Sequence, residues 1–152
     1  MMDASKILSV LYSEIHSVVV GMIDSEWHPS SAFLDVMFAE ENAVYFMTSD
    51  NGRKLYHLLN SSDYISICEK TEGDFFHAKM ISMQGRVRNI GKARVDELID
   101  ANPYMKKLYP DDQKEKRSII DVFQVYEGYG SYQDFSVTPP EQTRFQFHCV
   151  IE

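Results

Sequence analysis

Val44-Tyr45-Phe46-Met47-Thr48-Ser49-Asp50-Asn51-Gly52-Arg53-Lys54-Leu55 passes from an apolar strand through a short polar loop into a helix that opens on two cations. Cations at a helix N-terminus face the positive end of the peptide dipoles, at a cost of up to about 1 kcal/mol each. Asp50 offsets part of this. A phosphate offsets it better, because free backbone N–H groups, the Thr48 and Ser49 hydroxyls, Arg53 and Lys54 can all converge on it. A solvated loop with two surface cations satisfies the same pattern. Charge alone leaves both readings open.

Outward from this segment the chain reads mainly as short strands. Ala32 to Phe38 alternates Phe33, Asp35 and Met37 with Leu34, Val36 and Phe38, and Glu40-Glu41-Asn42 turns it into Ala43 to Thr48, predicting a hairpin. Ser17 to Ile23 is a Val-rich strand, followed by a turn around Pro29. Ser5 to Tyr12 carries Ile7, Leu8 and Leu11 at helical spacing. Downstream, Arg53 to Asn60 predicts a helix, Tyr64 to Glu69 a strand with Ile65 and Ile67 inward, and Ala78 to Asn89 a longer strand. Gly91 to Ala101 predicts a helix that stops at Asn102-Pro103. Ile119 to Tyr126, Ser131 to Val137 and Thr143 to Val150 predict three closing strands, with a polar turn region before them. Many short strands and few helices favour a mainly β (α+β) fold, an antiparallel, Greek-key-like split β-barrel of six or more strands with flanking helices.

The 152 residues suit a single domain, 1–152, and 44% apolar residues suffice for a core. The net charge of −8 repels phosphate backbones and anionic bilayers, so neither nucleic acid nor membrane is an expected partner. No leader peptide or long apolar run is evident, which makes the cytoplasm the expected compartment. Cys68 and Cys149 each sit among strand-forming residues and are expected as reduced, buried thiols. No metal-ligand spacing, P-loop, nucleophile elbow or dinucleotide fingerprint occurs.

Thr48-Ser49-Asp50-Asn51-Gly52-Arg53-Lys54 resembles the Thr-Asn-x-x-Ser-Arg-Lys segment of the pyridoxamine 5'-phosphate oxidase-related FMN-binding split-barrel family. Pro29 to Met37 resembles that family's flavin-contacting strand, and Lys79 to Val87 resembles a later strand that ends in Gly. The resemblance spans about Ile15 to Phe147. It implies cofactor contacts at Ala32, Phe33, Leu34, Asp35, Met47, Thr48, Ser49, Arg53, Lys54 and Met80, with Arg53 and Lys54 on the FMN phosphate. It also implies a homodimer that shares the flavin, and FMN-dependent oxidoreductase chemistry with a reduced nicotinamide as electron donor.

The departures from the family concern the substrate. Ala32 and Met37 stand where the oxidases carry basic residues, and Met80 stands where they carry a ring-contacting Gln. Arg144 and His148 are spaced too far apart for the family's Arg-x-His. These differences argue against oxidation of pyridoxamine phosphate itself, and no catalytic residue is named. A non-catalytic flavin-binding or sensing module and a haem-binding split-barrel protein share the scaffold and stand as alternatives.

Overall fold

The computed structural model describes residues 2–150. Eight strands, β1 (Ser17–Ile23), β2 (Pro29–Asp35), β3 (Phe38–Glu40), β4 (Ala43–Ser49), β5 (Tyr64–Lys70), β6 (Lys79–Gly91), β7 (Ile120–Asp134) and β8 (Glu141–His148), form one antiparallel sheet. Three α-helices accompany them: α1 (Ala4–Val10), α2 (Lys54–Ser61) and α3 (Val95–Ala101). No helix among the described residues is long and apolar enough to cross a membrane.

The sheet closes into a barrel because one extended segment changes partner midway. β2 pairs with β1 along its whole length, whereas β3, only two residues further on, pairs with β4. At the corner the Val36 N–H donates to the His16 carbonyl and the Met37 N–H to the Tyr45 carbonyl, at 2.7 and 2.8 Å. The ring then runs from β4 through β7, β6 and β5 back to β1. The predicted strand Ala32–Phe38 is therefore two strands. Its hairpin with β4 involves only Phe38–Glu40, because the corner turns the first half toward β1.

Inside the ring, Val18, Val20, Phe46, Ile67, Met83 and Phe123 pack together, and α1 with the turn after it lays Ile7, Leu8 and Leu11 on them. A second cluster forms outside it, where α3 sets Leu98 and Ile99 against Tyr45, Met47 and Val122. β4 is consequently buried on both faces throughout its seven residues. Two core clusters meeting on this strand fix the position of the loop and helix that follow it.

Four sequence expectations change. The two strands Ile119–Tyr126 and Ser131–Val137 are one 15-residue strand, β7, running through Glu127–Gly130. The glycines there are not breakers. A Cβ on Gly130 would lie 2.3 Å from the Ser82 carbonyl, and one on Gly128 only 2.9 Å from Phe147. Glycine is what lets the stacked Phe145 and Phe147 rings of β8 pack against the strand. The helix predicted from Gly91 begins at Val95, because β6 still pairs with β7 at Gly91. Cys68 is exposed rather than buried, since the inward turn of Ile67 places its neighbour on the outer face. The polar region after Asn102 forms 3₁₀ turns, Pro103–Lys107 and Asp111–Ile119, in place of an open turn.

Candidate functional site

Where β2, the end of β4 and the start of α2 meet, they leave a cleft of about 350 Å³. β2 and the corner contribute Phe33, Leu34, Asp35 and Met37; β4 contributes Met47, Thr48 and Ser49; the loop and α2 contribute Arg53 and Leu55. Strand alternation leaves the Phe33 ring 77% exposed, while Leu34 turns inward.

The third wall is Met105, Leu108 and Tyr109, from the 3₁₀ region. Two buried side chains hold it in place. Asn102 donates from Nδ2 to the carbonyls of Met37 at 2.7 Å and Leu98 at 2.8 Å, tying the end of α3 to the barrel corner. Arg117, with its side chain only 4% exposed, pairs with Asp96 at 2.6 Å and Asp111 at 3.1 Å and donates to the Tyr109 carbonyl. The sequence marked this stretch only as a polar turn region. Its contacts bridge residues too distant along the chain for any local pattern to show.

At the polar end, Arg53 occupies the N-cap position of α2 with an extended backbone and no side-chain cap, and the first turn carries no acidic residue. The opening N–H groups of the helix are thus without side-chain acceptors. The Arg53 guanidinium is exposed and, like Arg88 and Arg144, has no ion-pair partner among the described residues, whereas Arg86, Arg94 and Arg117 each pair with two carboxylates. Thr48, on the same strand face as Val44 and Phe46, has a buried Oγ1 with no hydrogen-bond partner among the described residues. A buried hydroxyl left without a partner costs about 1–3 kcal/mol. The loop between them is pinned where the Asp50 N–H donates to the Ile119 carbonyl at 2.7 Å.

Beneath the cleft floor lies a charged network. Asp121 accepts from Lys92 Nζ at 2.7 Å, Tyr56 Oη at 2.6 Å and Asn89 Nδ2 at 2.9 Å. Burial pushes its carboxyl up, but these hydrogen bonds outweigh burial and hold it below its ordinary value. The same bond to Asp121, with burial second, raises Tyr56.

The remaining residues named from the sequence lie elsewhere. Ala32 packs against the barrel core. Lys54 turns away from Arg53, reaches Asp24 at 3.9 Å, and lines a separate hollow with Trp27 and His57. Met80 borders a third hollow beside Cys68 and Ser82, on the far side of β1 and β5 from β2. One cleft therefore gathers Phe33, Leu34, Asp35, Met47, Thr48, Ser49 and Arg53.

Known structures share this architecture. A NimC/NimA family protein from Clostridium acetobutylicum superposes with a TM-score of 0.72 at 20% identity, covering 93% of this chain and 90% of that one. A pyridoxamine 5'-phosphate oxidase-related, FMN-binding protein from Nostoc punctiforme matches with a TM-score of 0.56 at 12% identity, over 95% of this chain and 84% of that one. The chain has the split-barrel fold of these proteins. A heme-binding protein from Mycobacterium smegmatis has the same fold, with a TM-score of 0.64 at 15% identity over 94% of this chain; the chain spans 58% of that protein's length. No family model matches the sequence, and no curated protein does. The split barrel is thus shared among proteins with different ligands, and the ligand of this one has to be argued from its own cleft.

Proposed function

We propose that this split barrel binds FMN in the cleft between β2, β4 and α2 and works as an FMN-dependent oxidoreductase. The observation that carries the reading is Arg53, an unpaired guanidinium beside the open N–H groups of α2 in a chain of net charge −8. Of the three arginines without an ion pair, Arg53 alone stands at a helix start with open N–H groups, and a dianionic phosphate is the ligand that suits that combination. Ser49 and Thr48 supply hydroxyls to the same end, and Thr48 Oγ1 would gain the partner it lacks. Phe33, Leu34, Met37 and Met47 offer apolar surface for a flat ring. When bound, FMN supplies hydride and electron transfer, while the protein orients the ring and excludes water. The clamp consists of Arg53 with Ser49 and Thr48, and Lys54 serves the neighbouring hollow.

A homodimer completes the proposal. Cross-strand register aligns Ser31, Gly21, Ser66, Gln84, Tyr129 and Gln146 over six strands, next to Phe33, Val19, Cys68, Ser82, Ser131 and Arg144. Arg144 is the single charge in these two rows of a chain that is 25% charged. A broad, nearly uncharged sheet face with exposed Phe33 and Tyr129 suits a second copy of itself. Phe33 belongs to both the face and the cleft, so a second copy docked there would help to cover the ring. A reduced nicotinamide is the electron donor we expect, stacking on the open side.

The test is a visible absorption spectrum of the purified protein with and without added FMN, followed by titration of Arg53→Ala. Bound flavin bands are expected, with affinity falling about 10–100-fold in the variant, the size of one charge-assisted hydrogen bond. A protein that ignores FMN sinks the proposal, and flavin held without any turnover of nicotinamide points to the binding or sensing module. A Soret band on adding haem is the contrary outcome, although no histidine lines this cleft among the described residues.

A further inference from the structure

Asp35, on the cleft wall, is the end of a chain of hydrogen bonds that leads away from it. Tyr104 Oη donates to Asp35 Oδ2 at 2.6 Å, and His16 Nε2 lies 2.6 Å from the same Tyr104 oxygen. Ser17 Oγ donates to the other carboxylate oxygen of Asp35. On the far side of the imidazole, His16 Nδ1 lies 3.0 Å from the Tyr12 carbonyl oxygen. A carbonyl only accepts, so Nδ1 carries a proton. The single Tyr104 proton is directed at Asp35, so Nε2 must donate to Tyr104 as well. Both ring nitrogens then donate, which is the pattern of an imidazolium facing a carboxylate through one hydroxyl.

The backbone keeps this arrangement at a cost. His16 follows a π-helical turn, Leu11–Ile15, and sits at φ 66°, ψ −59°, a conformation unfavourable for any side-chain-bearing residue. Its N–H donates to the Leu11 carbonyl and its carbonyl accepts from Val36 at the barrel corner. π-Turns and strained residues concentrate at functional sites. The groups facing the ring are Tyr12 and Tyr104, with centroids 5.7 and 5.6 Å away, and the Asp35 carboxylate at 3.8 Å.

We propose that His16, Tyr104 and Asp35 form a proton relay that ends in the cleft and serves a ligand reduced there by a hydride donor; its catalytic use rests on the FMN reading above. The transfer balances without a change of oxidation state. The Nε2–H bond breaks as a new Oη–H bond forms on Tyr104, while the original Oη–H bond breaks as Asp35 Oδ2–H forms. Imidazolium and carboxylate become imidazole and carboxylic acid. Asp35, on the cleft wall, would then hold the one proton that must accompany a hydride taken up by FMN bound there. The His16 ring, its side chain 28% exposed, regains a proton from solvent.

The relay is tested first without flavin, by long-range ¹⁵N–¹H spectra of the imidazoles in ligand-free, ¹⁵N-labelled protein near neutral pH. The expected signature is a His16 Nε2 resonance displaced by its bond to the Tyr104 hydroxyl, with the displacement lost in Tyr104→Phe and altered in Asp35→Asn. Tyr104 is partly exposed and Asp35 lies at a strand end, so folding of at least one variant, checked by circular dichroism, is enough. A His16 Nε2 resonance indifferent to both substitutions overturns the relay. With FMN bound, Tyr104→Phe should bind flavin normally and slow its reduction by NADH about 10²-fold, with loss of the solvent isotope effect. Equal rates overturn the catalytic use. A wild-type protein that shows the imidazole signature but does not bind FMN keeps the relay and removes only the flavin reading.

Discussion

Arg53 and Lys54 are neighbours in sequence and part company in space. One faces the cleft and the other reaches Asp24 across α2. The charge pattern pointed to a phosphate site at this helix start, but it could not separate the two cations, because a turn of backbone decides which way each points. Lys54 is largely exposed and meets the mostly buried Asp24 only at 3.9 Å, and such loose pairs contribute about 0–1 kcal/mol. Lys54→Ala is therefore expected to leave FMN affinity within about threefold of wild type, against the loss expected for Arg53→Ala. Parallel FMN titrations check this, and equal losses in the two variants would restore Lys54 to the clamp. Asn102, Tyr104 and Arg117 had no such local signature. Their partners lie across the fold, as with Asn102 and Met37, so only the tertiary structure could bring them into view.

Asp121 ties three elements together, receiving Tyr56 from α2, Asn89 from β6 and Lys92 from the loop before α3. Its folded-state pKa lies below the ordinary value of 3.8, so its contribution to stability is fully present above that value and disappears as pH falls through the folded one. Asp121→Asn is expected to lower stability at neutral pH and to flatten the decline of Tm on acidification. Thermal melts of both proteins from pH 7 to about pH 3 measure it; an identical slope in the variant would remove Asp121 from the acid response. The elements themselves were largely readable, since alternation in Ile81, Met83 and Val87 places one face of β6 correctly. What was not readable was continuity. A run of residues ending in Phe38 looks like one strand until it exchanges partners, and Gly128 and Gly130 look like a turn until the Phe147 ring and the β6 backbone at Ser82 and Met83 occupy the space beside them.

For the whole molecule, the nearly uncharged face over six strands sets the expected assembly. Sedimentation is predicted to give a dimer of the 17.6 kDa chain at micromolar concentration. Tyr129→Arg, which places a charge on an aligned row, is predicted to give a folded monomer with weakened FMN binding; a wild-type monomer would dismiss the shared-flavin arrangement. The barrel class was legible from many short strands and hairpin turns. Its closure was not, because closure depends on a corner whose two N–H groups reach opposite neighbours. That corner also gives the ring unequal joins. β1 holds β2 through seven residue pairs, whereas β1 holds β5 and β3 holds β4 through three each, Val19 to Gly21 against Cys68 to Ser66 and Phe38 to Glu40 against Tyr45 to Ala43. A hoop opens at its weakest joints, so transient opening should begin at these two and swing the β1–β2 hairpin outward about Val36 and Met37. Native-state hydrogen exchange would then show the β1–β5 amides exchanging through a smaller opening than those of β6 and β7, and uniform protection around the ring would refute it. The cleft wall carried by β2 moves with that hairpin, so the doorway for a bulky, flat guest swings on the frailest joints of the barrel.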